Sequence, residues 1–355
     1  MLLRLAPFSV ASLLVLTACS SSSDPKDSPT PPPVDDGSLV GDVSQSVTWT
    51  DGTVLGGKIR ILEGATVEIA PGAKLSCKDS AEIIIGGTLK VSSAATHASI
   101  SCAKWLGVVV GQNGVLDIDG LDLEGAGYET TRANGSCIVK NAKITNASRP
   151  FKVGPGSKLV LDHVVATTPE TVGPYDSSVA EVFGTLEASY LEYDAKGNEG
   201  IMLKGAEAEA TITDSTLKGT NGQDLVSTYF TGQTPEEGRP KSLKVSYTTF
   251  SGAHCGPHLQ GVTTAEFDHI TSRDDIIYGI TVFDANEVTI KDSNLGGSVA
   301  WLDFKKNPAV ITLTNVFFPA DPAKMQIDVE NPAMQLLGEE TPAQAEIPGA
   351  GPRPE

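Results

Sequence analysis

Val115-Leu-Asp-Ile-Asp-Gly-Leu-Asp-Leu123 is a short run of apolar residues set between acidic ones, and the chain goes on to repeat it in altered wording. IVKNAKI (138–144), KLVLDHVVA (158–166), LEASYLEY (186–193) and ATITDSTL (210–217) follow it. LKVSYTTF (243–250), TAEFDHI (264–270), VTIKDSNL (288–295) and VITLTNVFF (310–318) complete the series. Aligned on the last inward residue, the anchors are Leu123, Ile144, Ala166, Tyr193, Leu217, Phe250, Ile270, Leu295 and Phe318, spaced 21, 22, 27, 24, 33, 20, 25 and 23 residues apart. A self-similar period of roughly 20–30 residues in β-rich sequence is the mark of a solenoid.

Each repeat is too short to bury an apolar face alone. When every strand pairs with its equivalent one coil away, the anchors stack in columns and the face is covered. At a strand separation of ~4.8 Å, about eleven coils make a rod on the order of 50 Å long. From Val47 onward no helix-length stretch carries a 3.6-residue period, so the chain reads as all-β. A β-sandwich also repeats short strands, but it seldom repeats one phrase nine times.

Composition bounds the function. The 355 residues hold 44 acidic and 26 basic side chains, a formal net charge of −18, and 40% hydrophobic residues. Apolar content of that order supports a core. The charge argues against nucleic acid as a partner, because a wide Lys/Arg surface is missing.

Two resemblances sharpen this reading. Thr48-Trp49, the stretch 58–72 (KIRILEGATVEIAPG) and the stretch 81–90 (AEIIIGGTLK) resemble the opening coils of secreted bacterial right-handed parallel β-helix proteins of the pectin-lyase-like superfamily. The resemblance covers Val47 to about Ala320 and implies a single-stranded right-handed parallel β-helix, read as a domain of residues 38–320. It implies no one activity, since that superfamily holds lyases, hydrolases and adhesins. Trp49, with Val54 and Leu55, is expected to cap the open end of the first coil.

Upstream, Arg4 and the apolar run Val10–Leu16 precede Leu16-Thr17-Ala18-Cys19, which resembles the bacterial lipobox. By that resemblance residues 1–18 are a lipoprotein signal peptide and the Cys19 thiol is diacylated. The new amino terminus is acylated, and Ser20 favours the outer membrane or cell surface. Two or three acyl chains anchor durably, at ~0.8 kcal/mol per buried methylene. Residues 19–37, rich in Ser and Pro, read as a disordered tether. At the other end residues 321–355, rich in Pro, Ala and Glu, read as a tail whose last fifteen residues are loose, with Ala333–Leu337 able to form a short helix.

With Cys19 lipidated, Cys77, Cys102, Cys137 and Cys255 remain, and three pairings are open. Cys77 and Cys102 lie 25 residues apart, near one coil, and could meet within the ~5.5–6 Å Cα separation of a bridge. Cys137 and Cys255, several coils apart, are expected to be free or stacked in the core.

Two histidines come close together in Ser251-Gly-Ala-His-Cys-Gly-Pro-His258. His254 sits four residues past its anchor, as do Asn221 and Asp274, a spacing that predicts a polar ladder with Asp224, His258 and Asp275 nearby. Such groups line β-helix corners, where they bond to exposed backbone. The same ladder could instead act chemically, His254 or His258 as a general base with Arg273 neutralising a uronate carboxylate. Asp224, Asp274 and Asp275 could also hold a divalent cation such as Ca²⁺. Asp274-Asp275 resembles the paired aspartates of the polygalacturonase branch. That branch's Asn-Thr-Asp, Gly-His-Gly and Arg-Ile-Lys motifs are missing, and the order of His and Asp is reversed.

These features lead to one expectation and two alternatives. The expectation is a lipid-anchored envelope protein that binds a polysaccharide or an envelope protein without catalysis and without a required cofactor. The alternatives are a polysaccharide lyase or hydrolase acting at His254, His258, Arg273, Asp274 and Asp275, and a cation-binding surface protein.

Overall fold

The computed structural model describes residues 36–125, 128–130, 135–169, 178–220, 224–229, 238–273, 276, 278–296, 298–301, 310–317, 328–329, 335–338 and 345–355. Its elements are short strands, each hydrogen-bonded in parallel to a counterpart one turn further on. Three such ladders form. The first sheet includes Leu39–Val43, Glu82–Ile85, Gly107–Val110, Phe151–Val153, Glu199–Lys204, Asp224–Tyr229 and the leading parts of Cys255–Asp268 and Tyr278–Leu295.

The second sheet runs from Val47–Trp49 and Thr66–Ile69 through the leading halves of Val115–Glu124, Ser136–Thr145, Lys158–Thr167 and Thr185–Asp194 to Val310–Phe317. The trailing halves of those four long strands belong to the third sheet, with Thr216–Lys218, Thr249–Ser251 and Thr271–Arg273. The result is an all-β parallel solenoid of about ten turns. Among the described residues no helix is long and apolar enough to cross a membrane.

The repeated phrase explains the winding. In the second sheet Leu116, Cys137, Leu159, Leu186, Ala210, Leu243, Ala265, Val288 and Ile311 share one register position, and all are buried. Full burial stabilises each large aliphatic by about 1.5–3 kcal/mol. One residue then turns the strand from the second sheet into the third, in the left-handed region: Asn141 (φ 46), His163 (54), Tyr190 (49), Asp214 (48), Tyr247 (48), His269 (54), Asp292 (46) and Asn315 (52). Asn and Asp tolerate this conformation. Gly120 takes the same place in its coil at φ 91, where a Cβ would stand 2.4 Å from the Ser93 carbonyl carbon.

The bend breaks the backbone ladder, and at two of these corners a serine one residue later bridges it. Ser215 Oγ accepts from the Leu191 N–H at 3.1 Å and donates to the Thr213 carbonyl at 2.7 Å. Ser293 repeats this with the Ile270 N–H and the Lys291 carbonyl.

One anchor moves. The register joins Phe250 to Ser272 and Ser272 to Leu295, so the third-sheet position assigned by pattern to Ile270 belongs to Ser272. Ile270 is also fully buried, one inward position earlier, and an apolar alignment selects it over a buried serine.

Trp49 is buried in its rung, while Leu39–Val43 adds strand pairing ahead of it. Cys77 and Cys102 form a disulfide between adjacent rungs, Cα to Cα 5.2 Å.

The C-terminal reading needs correction. Pairing continues past residue 320: Asp328–Val329 joins Ala300–Trp301, and Gln335–Gly338 joins Val310–Leu313, so a strand stands where a helix was open. Nor are the last residues loose. Ile347 exchanges two hydrogen bonds with the Asn294 amide, Gly351 N–H donates to the His269 carbonyl, and Arg353 makes a bidentate pair with Asp214 at 2.6 and 2.8 Å. The segment thus climbs back across the left-handed corners. It can do so because prolines and glycines hold an extended strap with few internal hydrogen bonds to lose.

Candidate functional site

Gly200 determines how the first sheet begins in its coil. A Cβ there would stand 1.7 Å from the Leu225 carbonyl oxygen, so the next rung lies directly against it. Glu199, immediately before it, is 1% exposed. Glu199 lies two residues ahead of the Ile201–Val226 pair, Asp224 pairs with Cys255, and Cys255 pairs with Tyr278. Ile201, Val226 and Ile280 enter the core two residues on. Glu199, Asp224 and Cys255 thus stand side by side on successive rungs at the start of their strands, all three buried.

His258 stands three residues past Cys255, in register with Ser227 and Thr281. Its ring stacks on Phe283, centroids 4.8 Å apart. Its Nδ1 lies 2.5 Å from Asp224 Oδ2, and Gln260 Nε2 approaches its Nε2 at 3.3 Å. The Cys255 sulfur is approached by His254 Nδ1 at 3.2 Å and by Thr281 Oγ1 at 3.4 Å. One ligating atom each from Asp224, Cys255 and His258 lies within 4.8 Å of the other two.

Charge in this place is costly. Burial, and then the neighbouring Asp224 carboxylate, push the Glu199 carboxyl up to about 8. The same two causes push the Cys255 thiol up. Among the described residues Glu199 Oε2, Ser227 Oγ and Thr228 Oγ1 are buried and have no hydrogen-bond partner.

The fold thus brings Asp224, His254 and His258 together and adds Cys255 and Glu199, which pattern reading did not place here. Arg273 is exposed on Thr271–Arg273, in the third sheet, while His258 is in the first. Asp274 and Asp275, like Asn221 and Cys19, lie outside the described residues. The signal for Glu199 was the Glu-Gly pair at a strand start. The loops between the third sheet and the next coil's first-sheet strand vary in length, so alignment on third-sheet anchors could not carry that register across.

Other polar groups serve the corner. His163 stacks on Tyr190 at 4.5 Å and His269 on Tyr247 at 4.8 Å, all four at left-handed positions. His269 Nδ1 also lies 2.6 Å from its neighbour Asp268.

The outward face of the second sheet has a different character. Acid and base alternate across rungs: Lys158 meets Glu187 at 2.7 Å, Lys241 meets Glu209 at 2.6 Å, Lys244 meets Glu266 at 3.2 Å and Lys291 meets Asp268 at 3.3 Å. Thr185, Thr211, Ser242, Thr264 and Thr289 fill positions between them. On this face each of the four lysines meets a carboxylate on a neighbouring rung, Asp162 and Glu287 add further acid, and hydroxyls fill the positions between.

No family model matches the chain, and neither a curated protein nor a solved structure matches it.

Proposed function

We propose that this chain is a lipid-anchored envelope or surface protein whose right-handed, pectin-lyase-like solenoid binds an extended partner on its second sheet, without turnover. The partner class is a polysaccharide or an envelope protein with a repeating polar surface. The observation that carries the reading is the in-register outward face from Lys158 to Lys291, where each of four lysines pairs with a carboxylate on a neighbouring rung and the gaps hold Thr and Ser. Strands ~4.8 Å apart present a periodic row of hydroxyls and paired charges, which suits a polymer of similar repeat. Rung-to-rung pairing also lowers the repulsion that a net charge of −18 would exert on an acidic polymer.

The lipid anchor rests on Leu16-Thr17-Ala18-Cys19 and the Ser/Pro-rich stretch after it. It places the rod outside the cytoplasmic membrane.

One preparation tests both parts. The Cys19→Ser chain leaves the membrane fraction, and the soluble form then co-sediments with neutral or acidic envelope polysaccharides without releasing fragments. A Thr211→Glu/Thr289→Glu variant, which adds unpaired charge to the face, loses most of that binding. Membrane retention of the Cys19→Ser chain contradicts the anchor. Fragment release that disappears in His254→Ala contradicts the non-catalytic reading.

A further inference from the structure

We infer that Asp224, Cys255 and His258, with the buried Glu199 carboxyl beside them, form a binding site for one borderline-soft divalent metal ion of the Zn²⁺ class. The site differs from a hard-oxygen calcium site in its donors, because a thiol sulfur and an imidazole nitrogen stand beside two carboxylates. It is independent of the surface reading above, since the cluster is on the first sheet.

Three features point to a ligand. First, the donor atoms of Asp224, Cys255 and His258 already converge within 4.8 Å, so modest side-chain rotations suffice to bring them to ~2.0–2.3 Å from a common ion. Second, the Glu199 carboxylate accepts from the Asp224 backbone N–H, yet its buried Oε2 has no partner among the described residues. Two buried carboxylates beside each other repel, and a cation between them offsets that repulsion. Third, an outer ring is in place. His254 and Thr281 approach the sulfur, an arrangement that stabilises a metal-bound thiolate. With its amide turned, Gln260 accepts the His258 Nε2–H and fixes the tautomer that leaves Nδ1 as a ligand.

Binding proceeds with proton balance. The Cys255 thiol loses its proton to solvent as the metal–sulfur bond forms, Glu199 releases to solvent the proton it carries as the cation settles beside it, and His258 binds through neutral Nδ1.

The test uses the full chain, stripped with chelator and titrated with Co²⁺ and Zn²⁺ alone. The expected result is about one equivalent bound, with a Co²⁺ thiolate charge-transfer band that Zn²⁺ bleaches. Cys255→Ser abolishes the band, and His258→Gln, at a half-buried position, weakens Co²⁺ binding by about 10–100-fold with the fold intact. Glu199→Gln weakens it by a smaller factor. Asp292→Asn, in the corner group of Asp268, His269 and Asp292, leaves the band unchanged. A folded wild-type chain that shows no band and takes up no Zn²⁺ overturns the inference. So does a band that survives in folded His258→Gln at unchanged affinity.

Discussion

Asn141 shows how a single position shapes this fold. It sits at φ 46, where an L-residue with a branched side chain is strained, and its amide donates to Asp119 one rung back at 2.7 Å. Asn141→Gly keeps the conformation and loses the amide bond. Asn141→Val loses both, and should unfold about 1–2 kcal/mol more easily than the Gly variant in urea. Equal midpoints for the two variants would show that the corner does not depend on the left-handed residue.

Part of this was legible and part was not. Asn141, Asp214, Asp292 and Asn315 are residues that turn chemistry favours, so the sequence marks their corners. Tyr190 and Tyr247 occupy the same conformation against their propensity, and their stacking on His163 and His269 is a contact between coils that no local rule reports.

Elements behave as columns, and the C-terminal strap ties several of them together. Arg353 lies over the Tyr247 ring at 4.1 Å while its guanidinium pairs with buried Asp214, and Glu355 approaches His163 Nε2 at 3.5 Å. Hydrogen bonding to Arg353 holds the Asp214 carboxyl below the usual carboxylate range. A group whose folded pKa is depressed stabilises the fold above its unfolded value, near 3.9, and loses that contribution as pH falls through the folded value. Arg353→Ala should therefore lower Tm by about 2–4 °C at pH 7, with the gap to wild type closing below about pH 4. A gap that persists unchanged into acid would mean the pair does not couple the strap to the corner.

The strap escaped sequence reading for a physical reason. Its Pro and Gly content and short length are those of a disordered end. Its stability comes from a groove of stacked corners that exists only once the coils have wound. The cluster around Cys255 was half legible for a similar reason. Spacing placed His254 and His258 near Asp224, but Glu199 joins them through a register set by Gly200 and by the close approach of Leu225.

At the scale of the molecule, parallel in-register stacking governs the rest. It sets the apolar columns, aligns the second-sheet face, and carries Asp224 onto Cys255. The nine-fold phrase made the solenoid readable, because each apolar column must be written once per turn. Where a column tolerates a polar residue, as at Ser272, the pattern slips by two residues and the architecture does not change. Solenoids of this kind share stability between neighbouring rungs, so the register can be tested locally without disturbing the whole.

Thr211, Lys244 and Glu266 are exposed at one register position on three successive rungs of the second sheet. Cysteines placed at 211 and 244 should cross-link under mild oxidation, as Cys77 and Cys102 do across their own adjacent rungs. Cysteines at 211 and 266, separated by two strand spacings of ~4.8 Å, should not. Mass-spectrometric mapping of the 211–244 bridge, with none for 211–266, is the result the parallel solenoid predicts. Cross-linking of 211 to 266 in preference to 244 would contradict it.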